Sequence, residues 1–124
     1  MMSTEPVPAK SETPAPAKSE MPAAEVVQLA ATVNYQPGAV VSRTLMKRPT
    51  GTITMFAFDE DQGLSEHTSP FEAVLQVLEG EAEVTVSGKP MKPRAGEAVL
   101  LPAQQPHGVK ALTRFKMLLI MIRG

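Results

Sequence analysis

From Glu25 to the C-terminus the chain is cut into short β-branched and apolar runs, about 8 to 12 residues apart and punctuated by Gly and Pro. Candidate strands follow one another with no helix between them, which is the pattern of a sandwich or a closed barrel. Residues 40–47 and 52–58 flank Arg48-Pro49-Thr50-Gly51. Pro fixes one φ there and Gly supplies a positive one, so the pair reads as a hairpin. Residues 71–79 and 81–87 flank Gly80, and in the second run Ala82, Val84 and Val86 alternate with Glu81, Glu83, Thr85 and Ser87. One face of that strand is dry and the other wet. Arg94-Ala95-Gly96-Glu97 predicts a further turn, followed by strands at 98–101, ended by Pro102, and at 108–111.

The last run, Phe115–Ile122, shows no alternation. A strand that is apolar at successive positions is normally covered on both faces, whereas a lone small barrel covers one. The expectation is a homodimer in which this strand, helped by residues 26–30, packs its outer face against a second copy.

Length and charge narrow the function. A chain of 124 residues has room for one hydrophobic core. Twelve basic residues against thirteen acidic ones leave a net charge of −1, not the basic footprint that a phosphate backbone requires, so no nucleic acid partner is expected. Cysteine is absent, which removes disulfides, thiolate metal sites and a thiol nucleophile. The most apolar run, residues 117–122, falls far short of the roughly 20 residues of a membrane-spanning helix. No membrane association and no secretory signal are read, and the expected address is the cytoplasm. Residues 1–24 are rich in Pro, Ala, Lys, Ser and Glu, with Pro8-Ala9-Lys10-Ser11-Glu12 repeated at residues 16–20. Such a segment has too little apolar surface to offset its ordering entropy and is expected to be a disordered arm, leaving residues 25–124 as the barrel domain.

Two stretches carry chemistry. The first runs from Gly63 through His67, Ser69, Glu72 and Ala73 to Gly80. The second runs from Gly96 through Pro102, Gln104 and His107 to Ala111. Together they resemble the paired motifs of the cupin superfamily, and the resemblance implies an all-β, small antiparallel barrel of jelly-roll (cupin) type. It also implies metal ligands in the barrel mouth. Carried over by position, His67 and His107 fall on two ligand positions, while Ser69 stands for the second histidine of the first motif and Ala73 for its glutamate. Gln104 replaces a glycine and Ala111 an asparagine. Ser and Ala cannot replace imidazole and carboxylate.

Two readings follow. In the first, the barrel interior holds a small molecule in a mostly apolar pocket lined by His67, Ser69, Ala73, Leu75, Val77, Gln104 and His107. In the second, the protein is a metal-dependent enzyme of oxygenase or isomerase type, with a divalent ion (Zn, Fe, Mn or Ni) on His67 and His107. Its third ligand would be Glu72, brought into phase by a β-bulge at residues 69–71, or Glu66 from the loop side. Both histidines can also be a vestige that lines the mouth through hydrogen bonds alone. Asp59-Glu60-Asp61 lacks the spacing of a calcium loop and reads as a solvated turn.

Overall fold

The computed structural model, which describes residues 20–123, turns every expected run into a strand. In chain order the strands are β1 Val40–Arg48, β2 Gly51–Phe58, β3 Gly63–His67, β4 Glu72–Glu79, β5 Ala82–Val86, β6 Lys89–Met91, β7 Ala98–Leu101, β8 His107–Ala111 and β9 Phe115–Ile122. They form two antiparallel sheets, ordered β1-β2-β9-β4-β7 and β3-β8-β5-β6. The arm expected over residues 1–24 lies outside the described residues as far as residue 19.

Two strands go beyond the sequence expectation. β3 is polar and carries no apolar run, and it exists because it pairs along the edge with β8. β6 is three residues long and directly follows a tight turn after β5. The reversal is confined to Ser87 and Gly88, at φ 50° and 80°, so Lys89 is already paired with Val86. Two consecutive positive φ values make the tight hairpin turn whose twist matches its strands.

The inner faces of the two sheets meet in one apolar cluster. Phe58, Leu75, Val77, Phe115 and Met117 come from the first sheet and Ala82, Val84, Val109 and Ala111 from the second. The Phe58 and Phe115 rings stack with centroids 4.5 Å apart. Each fully buried side chain of this size contributes roughly 1.5–3 kcal/mol relative to exposure.

The outer face of the five-stranded sheet is apolar too, and the chain covers part of it itself. Residues 21–35 cross it as a strap containing one 3₁₀ turn, Leu29–Thr32, where no helical element was expected. Val33 is buried on Leu45, Met55, Ala57 and Leu118, with Met21, Leu29 and Tyr35 packed around them. Met21 donates its N–H to the Leu45 carbonyl at 3.0 Å, and Lys116 Nζ donates to the Ala30 carbonyl at 2.6 Å. The Lys116 ammonium also lies 4.9 Å from the Tyr35 ring centroid, and the Tyr35 hydroxyl donates to Glu79 at 2.7 Å. Burial and then that carboxylate push the Tyr35 pKa up, so the phenol keeps the proton it donates.

The two-sided apolarity of β9 is therefore met in part without a second copy. β9 is the middle strand, with Met117 in the barrel and Leu118 under the strap. Val26, expected to join β9 in packing against a second copy, is fully exposed in the single chain. Leu100 of β7 and Ile122 at the end of β9 stay bare, 57% and 60% exposed, and Met46 of β1 is exposed to a lesser degree.

Candidate functional site

His67 ends β3 and His107 begins β8, and the two are directly paired across the ladder. A β-bulge aims His67. Leu64 pairs with Val109 and His67 with His107, so three steps on β3 oppose two on β8. Leu64 packs on the inner cluster, and strict alternation would send His67 to the other side; the extra residue returns it to the inner face. His107 is also paired with Val86, which packs on that same cluster.

The two rings meet edge to face, with centroids 4.5 Å apart and planes 67° apart. His67 Nδ1 lies 2.8 Å from the Ser65 carbonyl, and His107 Nδ1 lies 3.3 Å from that of Gln105. A carbonyl only accepts, so Nδ1 is the donor in each contact, and in the neutral form of the ring the lone pair is left on Nε2. His107 is buried while His67 is exposed. Burial first, and then the neighbouring His67, hold the His107 pKa below the ordinary imidazole value, against a smaller opposing effect of the Gln105 carbonyl.

The same end of the barrel gathers other strand ends. The loops that follow His67 and Leu101 are tied by Gln104 N–H donating to the Ser69 carbonyl at 2.7 Å. Leu101 pairs with Ala73, Ala73 with Met121, and Met121 with Thr52. Of the residues expected to line a pocket, His67, His107 and Ala73 share the inner face at this open end. Ser69 Oγ is used locally, accepting the Phe71 N–H at 3.1 Å. Gln104 is exposed, at φ 66°. Leu75 and Val77 are core residues with no exposed surface, deeper along β4.

Three residues of this end were not among those expected. Thr54 pairs with Leu119 and Thr52 with Met121, both of which pack on the inner cluster, and Thr44 pairs with Thr54. Paired residues share a face, so these three threonines face inward. The signal was in the alternation of Thr52 and Thr54 with Ile53 and Met55, which places them on the face of Phe56 and Phe58.

A family model described as a cupin domain matches residues 54–123, over half of the chain. The chain belongs to the cupin family. Among solved structures, a conserved protein of unknown function from Streptococcus pyogenes is 31% identical, with 85% of this chain and 92% of that one covered and a TM-score of 0.80. A cupin 2 conserved barrel domain protein from Leptotrichia buccalis is 40% identical at a TM-score of 0.74; the match covers 77% of this chain and 46% of that longer one. A cupin superfamily protein from Desulfitobacterium hafniense is 24% identical, with coverage of 85% and 96% and a TM-score of 0.80. No curated protein matches this chain.

Cupin barrels often hold a metal, and the residues present here do not fit one well. Among the described residues no three His, Cys, Asp or Glu side chains come together in a metal-binding group. The bulge expected at residues 69–71 to rephase Glu72 is not there. The irregularities of β3 and of the β4–β9 ladder lie at Leu64/His67 and Val77/Glu79. Glu72 therefore keeps its outward phase, paired with exposed Ile122, and lines a surface depression with Pro70, Phe71 and Ala103. Glu66 joins no such group either. Two imidazoles fall short of the three or four protein ligands that hold a divalent ion tightly.

Proposed function

We propose that this cupin binds a small organic molecule at the open end of its barrel, using the Nε2 atoms of His67 and His107 as hydrogen-bond acceptors above an apolar floor. The observation that carries the reading is the pair itself: two inward imidazoles whose Nδ1–H groups are already spent on backbone carbonyls. Each leaves one acceptor for a ligand. The alternative, an oxygenase or isomerase with a divalent ion on the same pair, lacks a third donor among the described residues. Ligand-detected NMR with a set of small organic molecules, repeated on His107→Ala, tests the proposal. Binding that disappears in the variant supports it. Near-stoichiometric metal in protein purified without a metal-affinity tag, lost in a His67→Ala, His107→Ala double variant, would overturn it in favour of the enzyme.

The proposal extends to a homodimer in which the bare part of the outer face, at Leu100 and Ile122, packs against a second copy through the β9 sheet. Light scattering at micromolar concentration reads it directly: a dimer that becomes a monomer in Leu100→Glu, Ile122→Glu supports it, and a monomeric native chain removes it. The working address proposed is the cytoplasm.

A further inference from the structure

The inner face of β2 changes character along its length. Its closed-end residues are Phe58 and Phe56, and its open-end residues are Thr54 and Thr52. Thr44 on β1 joins them across the ladder. All three threonines are half-buried, and among the described residues none of their hydroxyls has a hydrogen-bond partner. Half-buried polar groups that the chain itself leaves unpartnered must bond to water or to a ligand, so three such hydroxyls on one inward face suit a polar ligand.

The spacing limits what that is. Paired positions hold their Cβ atoms about 5 Å apart, and alternate positions on a strand stand about 7 Å apart. One ring bearing several hydroxyls spans such a set. The two Nε2 atoms accept hydrogen bonds and do not donate them, so they ask for O–H or N–H groups on the ligand. Leu119 and Met121, half-buried beside the threonines, offer an apolar wall to the C–H side of such a ring. Lys47, paired with Thr52, shares the face but is exposed at the rim.

We infer that the ligand of the open end is a small polyhydroxylated molecule, a sugar or sugar-derived polyol, held between the Thr44, Thr52 and Thr54 hydroxyls and the imidazoles of His67 and His107. The inference rests on the proposal that this end binds a small molecule, and the experiment separates the two. Methyl glucoside, methyl galactoside and sorbitol are titrated by NMR against the native protein, with cyclohexanol as the single-hydroxyl probe of similar bulk. A second titration uses Thr52→Val, Thr54→Val, a change that keeps side-chain shape and suits a strand. At least one polyol is expected to bind more tightly than cyclohexanol and to lose about tenfold in affinity in the double valine variant, on the order of one lost hydrogen bond. Cyclohexanol binding should be unchanged by the valines. If cyclohexanol binds as well as every polyol and the valines alter neither, the polyol inference falls while small-molecule binding stands. If no probe perturbs His67 or His107, both fall.

Discussion

The two ends of the barrel interior are built from the same strands and differ in how finished they are. At the closed end Phe58, Phe115 and Val77 have no exposed surface and join one apolar cluster. At the open end the same strands present Thr54 and Thr52 in place of Phe, and Ala73 in place of a large side chain, beside two imidazoles. An interior packed to crystal-like density has no place for a ligand. The half-buried end, with its unspent acceptors and hydroxyls, is where the proposed ligand would sit.

The comparison can be broken most forcefully at the closed end. Phe58→Ala removes one of two stacked rings and is expected to cost about 3–5 kcal/mol in urea unfolding, enough to threaten a domain of this size. An effect near zero would mean that the interior is not packed there. A second change asks whether added donors turn the open end into a tight metal site. Ala73→Glu with Ser69→His restores the two missing family positions, and near-stoichiometric zinc or manganese by elemental analysis is the expected outcome. Without metal, the buried carboxylate at position 73 should lower stability by about 2 kcal/mol or more.

A smaller effect comes from pH. The folded pKa of His107 lies below its unfolded value, so the unfolded chain binds the proton more readily. The stability that depends on neutral His107 is complete above the unfolded value, declines as pH falls through it, and is fully lost below the folded value. The melting temperature should accordingly drop between pH 7 and pH 5 by more in the native protein than in His107→Gln, and parallel curves would remove the linkage. The smallest effect is expected where the interior is unfinished. Thr52→Val, Thr54→Val should change stability by less than about 1 kcal/mol, since among the described residues neither side chain has a hydrogen bond to lose.

Much of this contrast is legible in the sequence, for definite reasons. Alternation in residues 81–87 and the Pro-Gly turn at residues 48–51 announced their strands because one covered face imposes a period of two. β9 has the bounds that its apolar run predicts. β3 was missed because nothing in Gly-Leu-Ser-Glu-His is apolar enough to read; its pairing partner lies over 40 residues away in the chain. His67 and His107 were found from motif spacing, but the bulge that brings His67 inward is a property of the ladder. Expectation had put the bulge one loop later, where it would have rescued Glu72. The threonines were passed over because Thr is an ordinary strand residue, and only the register shows which face it shares.

The central claim, that two imidazoles at the open end hold unprotonated Nε2 atoms ready to accept from a ligand, is tested most directly by long-range ¹H–¹⁵N NMR of the histidine side chains at pH 8. The account predicts that both His67 and His107 appear as the Nδ1–H tautomer, with Nε2 shifts that move when a bound polyol is added. An Nε2–H tautomer at either residue would contradict it.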